Sequence, residues 1–236
     1  ADTFKVKFIE NIKRTPTVES FRFLPEKRID FLPGQFLQIL FDKDNLNNKE
    51  LNKYLSFSSS PTKDYIEVTK RISQSQFSQK LKSLKKDDEI FIKAPLGNCV
   101  FDESYKRIGF LIGGIGITPV VSILEYIEEK KLDTDVLLLY SNRTEIETAF
   151  KKEFDEIMLK NHLIKIIYLV TECLPEDKSC VYGHLDKEFL IKYLSELYGR
   201  IIYIFGPPKM VEAVKGLCLE LGINQQNIKT ESFVGY

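Results

Sequence analysis

Hydrophobic and polar residues alternate in short runs through the first hundred positions of the chain. These runs lie at 4–8, 21–23, 36–41, 66–69 and 90–92. A period of two between turn residues is typical of antiparallel strands that bury one face. The pattern predicts an antiparallel barrel or sandwich over residues 1–103, with a polar surface loop at 42–53. One short helix is predicted where Phe77, Leu81 and Leu84 share a face.

The second half, residues 107–236, follows a different pattern. Its apolar runs at 108–112, 136–140, 164–170 and 201–205 are continuous, as expected for parallel strands buried on both faces. Helical periods separate these runs, at 120–127, 146–157, 190–197 and 210–221. Thr144 and Glu147 form a capping-box pattern before the second helix. Alternating strands and helices predict a Rossmann-like, doubly wound parallel sheet. We therefore expect two domains, 1–103 and 107–236.

Composition narrows the range of partners. The 236 residues carry 34 Lys+Arg and 34 Asp+Glu, so the formal net charge is zero. A nucleic-acid binder or a polybasic membrane anchor would need a surplus of positive charge. The longest uncharged run, 108–124, is shorter than the ~20 residues of a membrane-spanning helix and contains glycines and a proline. We expect no nucleic acid, no membrane span, and a monomer or small homo-oligomer.

The four cysteines are scattered, with no C-x-x-C pair. This spacing argues against a zinc site or an iron–sulfur cluster, so no metal is expected. Free thiols are typical of a reducing compartment, which makes a cytoplasmic location the expectation.

A glycine-rich segment follows the first predicted parallel strand. The run Gly113-Gly114-Ile115-Gly116-Ile117-Thr118-Pro119 precedes a helix, with Thr118 as the expected N-cap and Pro119 in the first turn. Glycines let a backbone approach a ligand closely, and a helix N-terminus attracts a pyrophosphate. A purely structural turn is the alternative. The location of the segment, in the first strand-to-helix turn of the sheet, favours nucleotide binding at Gly114 and Gly116.

Two further strand ends are candidates for the same ligand. Ser141 and Arg143 follow the second parallel strand, where no acid is present to accept from a ribose 2′-hydroxyl. Arg143 could instead meet a 2′-phosphate, which favours NADPH over NADH; a solvated arginine is the alternative. The segment Gly206-Pro207-Pro208-Lys209-Met210 follows the fourth strand and begins another helix.

Six motifs, in order, resemble those of the ferredoxin–NADP⁺ reductase superfamily, and the resemblance covers essentially the whole chain. The segments that carry it are Pro33–Phe36, Lys53–Ser59 (similar to R-x-Y-S-x-x-S), Ser75–Leu81 (similar to G-x-x-S-x-x-L), Gly113–Pro119, Gly206–Met210 and Glu231–Phe233. The resemblance implies a flavin-binding Greek-key β-barrel followed by a pyridine-nucleotide domain. It also implies a bound FAD rather than FMN, and NADPH or NADH as the electron donor.

The resemblance implies roles for individual residues. Ser56 would donate a hydrogen bond near flavin N5, Glu231 would lie near the nicotinamide, and Phe233 would cover one flavin face; these are the candidate catalytic residues. Tyr236 is a rival for the aromatic role. The expected flavin-binding residues are Lys53, Tyr54, Leu55, Ser56, Phe57, Ser58, Ser59, Thr69, Lys70, Gln76, Phe77 and Ser78. The expected nucleotide-binding residues are Gly114, Gly116, Thr118, Pro119, Ser141, Arg143, Gly206, Pro207 and Met210.

Four positions depart from the family pattern. Lys53 stands where the family has arginine, which keeps the charge but loses the bidentate fork. Leu55 replaces a tyrosine that lines the flavin, Ser75 replaces a glycine, and Phe205 replaces a cysteine near the nicotinamide. These departures leave a second hypothesis open, namely a catalytically silent flavin- or nucleotide-binding subunit of a larger complex.

The resemblance implies a reductase that passes a hydride from NAD(P)H to FAD. Because no cysteine cluster accompanies the motifs, we expect the electrons to leave for a separate acceptor. A ferredoxin, a flavodoxin, an oxygenase or a small molecule would each serve.

Overall fold

The computed structural model describes residues 1–172 and 174–234, which form two compact units. The first unit contains residues 1–101 together with 118–129. The second unit contains the remaining described residues, beginning with 102–117 and continuing from 130. The segment 118–129 therefore groups with the first unit, although it lies within the second expected domain, 107–236.

The first unit is built on a six-stranded antiparallel sheet. Its strands are β1 (Asp2–Lys13), β2 (Val18–Pro25), β3 (Phe36–Leu40), β4 (Asn52–Ser56), β5 (Ile66–Arg71) and β6 (Glu89–Leu96). They lie in the order β4-β3-β6-β1-β2-β5, and a bridge between Phe57 and Val68 joins the two ends of this order. The predicted antiparallel barrel is therefore confirmed.

Two helices complete this unit. The short helix α1 (Gln76–Ser83) agrees with the predicted apolar spacing and buries Phe77 and Leu81. Helix α2 (Thr118–Glu129) is buried over most of its length.

The barrel interior is filled by the apolar residues of the alternating runs. Val6 and Phe8 on β1 face Phe21 and Phe23 on β2, and all four are at most 5% exposed. Phe57 stacks on Phe31 with ring centroids 3.7 Å apart and planes within 8°. This packing fixes the end of β4, where the first candidate site begins.

The second unit is a six-stranded parallel sheet. Its strands are β7 (Arg107–Gly113), β8 (Asp135–Asn142), β9 (Ile164–Val170), β10 (Cys180–Tyr182), β11 (Ile201–Gly206) and β12 (Ile228–Ser232), in the order β10-β9-β8-β7-β11-β12. Its helices are α3 (Lys151–Lys160), α4 (Lys187–Leu197) and α5 (Pro208–Glu220). The order runs outward from β7 in both directions, which confirms the doubly wound parallel sheet.

The structure corrects three local predictions. Strands β10 and β12 occupy the two edges of the parallel sheet and were not predicted, because they are short and lack a continuous apolar run. Helix α3 begins at Lys151, not after Thr144, because residues before it form turns and Phe150 has a left-handed φ of 67°. Thr118 is the first residue of α2 and not its cap, because a 3₁₀ turn over Gly114–Ile117 runs directly into the helix.

Within the part of the chain that the structure describes, no helix has the length and apolar character needed to cross a membrane.

Candidate functional site

A segment of serines follows β4 inside the first unit. We call Ser56–Ser60 the serine segment; each of its four serines is at most 4% exposed. Buried hydroxyl and peptide groups are costly unless they form hydrogen bonds, so the segment must be held by polar partners. Neighbouring strand β5 supplies several of them. Ser58 N–H donates to the Glu67 carbonyl oxygen at 2.8 Å, and Glu67 N–H donates to Ser59 Oγ at 2.9 Å.

The carboxylate of Glu67 is the centre of this polar cluster. Glu67 is 2% exposed, and its Oε1 accepts from Arg14 Nη2 and from Arg22 Nε, each at 3.0 Å. Its Oε2 accepts from Ser58 Oγ at 2.8 Å. Two guanidinium groups thus compensate one buried carboxylate, which is the condition under which burial of such a charge is tolerated.

Thr69 extends the cluster along β5. Its Oγ1 lies 2.7 Å from Ser58 Oγ and 2.7 Å from Ser20 Oγ, and Arg14 Nε donates to Ser20 Oγ at 2.8 Å. Thr69 is an expected cofactor contact, but its hydroxyl is already hydrogen-bonded to other residues of the protein.

Ser56 differs from its neighbours. It is 4% exposed, and no hydrogen-bond partner for its hydroxyl is found among the described residues. A hydroxyl of this kind is suited to bond a ligand that reaches the end of β4. Its role at flavin N5 stays a prediction.

A group of cations lies beside the serine segment. Lys70 is 5% exposed, and its Nζ donates to the Arg71 carbonyl oxygen at 3.2 Å. Burial lowers the pKa of Lys70, and the positive charges of Lys53 and Arg71 lower it further. Three cations so close together repel one another, and a bound anion would relieve that repulsion. This arrangement fits the diphosphate of a dinucleotide cofactor.

The start of helix α1 is the other expected diphosphate contact. Ser75 is its N-cap: its hydroxyl oxygen accepts from Ser78 N–H at 3.1 Å. Ser75 has φ −61° and ψ 152°, an ordinary extended conformation, so the backbone there does not require the glycine of the family motif. The Ser78 hydroxyl is buried and accepts from Ser73 N–H at 3.2 Å. Gln76 is exposed at the helix start.

Several expected flavin contacts have side chains that point elsewhere. Leu55, Phe57 and Phe77 belong to the apolar core and are at most 3% exposed. They are covered by protein, so only their backbone groups remain for a cofactor. Tyr54 is 53% exposed, and its ring meets the edge of Phe36 with centroids 5.9 Å apart.

In the second unit, two glycine motifs far apart in sequence meet in space. A β-carbon on Gly116 would lie 2.6 Å from the carbonyl carbon and oxygen of Phe205, so only glycine fits there. A β-carbon on Gly206 would lie 2.8 Å from Met210 Sδ, and one on Gly113 would lie 3.4 Å from the same sulfur. The 3₁₀ turn after β7 and the end of β11 therefore form one surface.

Gly114 is the half-buried, open point of this turn. It has φ +53°, and a β-carbon there would meet nothing within 4 Å. Open space beside a glycine turn fits a pyrophosphate that approaches the backbone. Thr118 and Pro119 are buried, whereas Pro207 is exposed.

Near the end of β8 the structure places an acidic residue, Glu172, that the sequence did not predict there. Ser141 is paired in register with Gly113, so it lies at the glycine turn. Arg143 is exposed, and its Nε lies 3.5 Å from Glu172 Oε1. Glu172 follows β9, the neighbouring parallel strand, so its position at the same sheet edge could have been predicted from the strand order.

Strand β12 carries the two remaining candidates. Glu231 is paired in register with Phe205, and burial raises its pKa to about 7. At neutral pH this carboxyl group is therefore divided between its neutral and ionised forms. Phe233 is 8% exposed, its ring meets the edge of Phe205 with centroids 6.4 Å apart, and its N–H donates to the Gly206 carbonyl at 2.9 Å. Its side chain thus packs within the second unit. Tyr236 lies outside the described residues.

Two family models match the chain. Residues 4–101 match the oxidoreductase FAD-binding domain, and residues 110–216 match the oxidoreductase NAD-binding domain. The first unit is accordingly an FAD-binding domain and the second an NAD-binding domain. Within the described residues, no cluster of side chains suited to a metal ion is found.

The chain is similar to curated and solved proteins of this kind. It is 28% identical to NADH-cytochrome b5 reductase 2 of Mycosarcoma maydis over 74% of the chain and 51% of that protein, so it spans about half the length of that relative. It is 28% identical to NADH-cytochrome b5 reductase 1 of Dictyostelium discoideum over 96% of the chain and 79% of that protein. The ferredoxin NADP⁺ reductase of Neisseria gonorrhoeae, solved with bound FAD and NADP, shares the fold with a TM-score of 0.79, 20% identity and coverage of 98% and 99%.

The geometry of the glycine turn generates one prediction. We expect Gly116→Ala to destabilise the second unit by about 2 kcal/mol or more, since the new methyl group would meet backbone atoms that cannot move freely. Gly216→Ala is the matched control: its β-carbon meets nothing within 4 Å in helix α5, so alanine should be neutral or stabilising. Thermal unfolding of both variants measures the difference. Equal melting temperatures for the two variants would contradict the tight contact at Gly116.

Proposed function

The chain belongs to the ferredoxin–NADP⁺ reductase-like superfamily, and on that premise we propose that it oxidises a nicotinamide dinucleotide and passes the electrons through FAD to a separate acceptor. The observation that carries this proposal is the serine segment beside the three cations of the first unit. It combines the Ser56 hydroxyl, for which no partner is found among the described residues, with positive charge suited to a diphosphate. FAD would supply the redox chemistry when bound.

The residues of the chain would bind and orient the cofactors. Lys53, Lys70 and Arg71 would neutralise the FAD diphosphate. Ser56 would donate a hydrogen bond at the reacting edge of the ring system. In the second unit, the turn with Gly114 and Gly116 would hold the nucleotide pyrophosphate. Glu231, with a pKa of about 7, is suited to hold or release a proton beside the nicotinamide.

We propose NADH as the preferred donor. The sequence alone favoured NADPH through Arg143, but Glu172 lies beside that arginine and partly neutralises it. A carboxylate at the sheet edge can accept from a ribose 2′-hydroxyl and repels a 2′-phosphate. The relatives named NADH-cytochrome b5 reductases support the same choice.

The acceptor is a separate molecule in this proposal. The names of the relatives favour a haem protein of the cytochrome b5 kind, while a ferredoxin, a flavodoxin, an oxygenase or a small molecule remain outcomes of an acceptor screen. We keep the cytoplasm as the proposed location, supported by Cys180 and Cys218, which no disulfide joins within the described residues.

A catalytically silent cofactor-binding subunit is the second candidate. Leu55 and Phe205, which replace a tyrosine and a cysteine of the family pattern, are both buried in the apolar interior. Neither therefore offers a side chain to the chemistry.

Reduction by NADH without oxygen tests the proposed function. We expect the purified protein, after incubation with FAD, to be yellow and to lose its visible flavin absorbance when NADH is added anaerobically. A yellow protein that neither NADH nor NADPH bleaches would support the silent subunit. A protein that FAD cannot colour would contradict the reductase and would leave only a silent subunit that binds nucleotide alone.

The choice of nucleotide is tested by two variants at one ion pair. We expect Glu172→Gln to reduce the preference for NADH over NADPH about tenfold, because a charged hydrogen-bond acceptor contributes energy of that order. Arg143→Ala should weaken NADPH more than NADH. The measurement is the half-saturating concentration of each nucleotide for flavin reduction. Equal changes for both nucleotides in both variants would remove this pair from the recognition of the ribose.

A further inference from the structure

Helix α2 presents one polar edge within the first unit. Ser122, Glu125 and Glu129 follow each other at spacings of three and four residues, which places them along one side of the helix. Ser122 is fully buried, and the Glu125 side chain is 27% exposed. The helix begins at Thr118, directly after the glycine turn Gly114–Ile117. The polar edge therefore places one hydroxyl and two carboxyl groups on a largely buried helix.

The polar edge of α2 completes the hydrogen bonding of the serine segment. Ser122 Oγ donates to the carbonyl oxygen of Ser59 at 2.8 Å, and both residues are at most 1% exposed. Ser60 N–H points to Glu125 Oε2 at 3.4 Å. Strand β5 bonds the Ser58 hydroxyl and N–H and the Ser59 hydroxyl, whereas the Ser59 carbonyl and the Ser60 N–H bond the helix. Without α2 the Ser59 carbonyl would be buried with no donor, which is unfavourable.

The next residues of the chain continue the same contact. Lys63 Nζ lies 2.5 Å from Glu129 Oε1 and 3.9 Å from Glu125 Oε2, and the Thr62 hydroxyl donates to Glu129. Burial raises the pKa of Glu125 to about 7, although the nearby Lys63 opposes the shift. The whole segment from Ser59 to Lys63 is thus bonded to one side of α2.

We propose that Ser122 and Glu125 are positioning residues, which hold the serine segment, and with it Ser56, in one conformation within the first unit. This inference rests on the proposed function and requires no contact between either residue and a cofactor. Both residues lie on α2, a helix that is buried over most of its length, so the groups that they bond have little freedom to shift. Hydride transfer is sensitive to displacements of about 1 Å, and the bonds to α2 would limit such displacements of Ser56.

Stopped-flow reduction of the FAD-loaded protein by NADH tests this role. We expect Ser122→Ala to lower the limiting rate of flavin reduction about tenfold, while the half-saturating NADH concentration and the FAD content stay within about twofold of the wild type. Ser195→Ala is the matched control, because Ser195 is an exposed serine on helix α4; its limiting rate should equal that of the wild type. A limiting rate of Ser122→Ala within about twofold of the wild type would overturn the proposal.

A pair of variants at Glu125 keeps the test decisive if Ser122→Ala fails to fold. Glu125→Gln retains an oxygen that can accept from Ser60 N–H, whereas Glu125→Met has a similar shape and no such acceptor. We expect the methionine variant to lower the limiting rate and the glutamine variant to preserve it. Equal rates for the two variants would contradict the positioning role. Failure of the wild type itself to be reduced would instead overturn the proposed function, so the two failures are distinguishable.

Discussion

The carboxylate of Glu67 is the point at which the parts of the first unit meet. It accepts from Arg14 on the connection after β1, from Arg22 on β2, and from Ser58 in the serine segment. A carboxylate with so little exposure is tolerated only while both guanidinium groups remain in place, and removal of one partner would leave an uncompensated charge. The shape of the serine segment therefore depends on this cluster, and the proposed flavin contacts depend on the serine segment.

In the second unit, close packing and not charge fixes the conformation of the candidate binding segment. Its glycine turn is pressed against the end of β11, where Gly116 leaves no room for a side chain and Met210 covers Gly113 and Gly206. A turn held this firmly would present its backbone in one conformation to the pyrophosphate of the proposed nucleotide. Under the proposed function, each unit would thus hold its binding surface in place before a cofactor arrives, which would lower the free-energy cost of ordering on binding.

The architecture could be predicted from the sequence because the two halves have different hydrophobic periods. Alternation predicted the barrel, and continuous apolar runs predicted the parallel sheet. The positions of the polar side chains were harder to predict from the sequence. Glu67 occupies a polar position of an alternating strand and would be expected at the surface, yet both faces of β5 are buried. Glu172 is distant from Arg143 in sequence, and only the pairing of β8 with β9 brings them together. The motifs also did not predict the direction of the side chains, since Leu55, Phe57 and Phe77 point into the core.

The binding of FAD to a cofactor-free preparation tests the central claim most directly, namely that the Glu67 cluster builds the flavin site. The measurement is a fluorescence titration of FAD into the wild type, Glu67→Gln and the control Glu10→Gln, each first shown to be folded by circular dichroism. Glu10 pairs with Arg22 at 3.2 Å but is 52% exposed, so its loss should change little. We expect one FAD per chain in the wild type and in Glu10→Gln, and an affinity at least about tenfold weaker in Glu67→Gln. A folded Glu67→Gln variant with wild-type affinity would contradict the account.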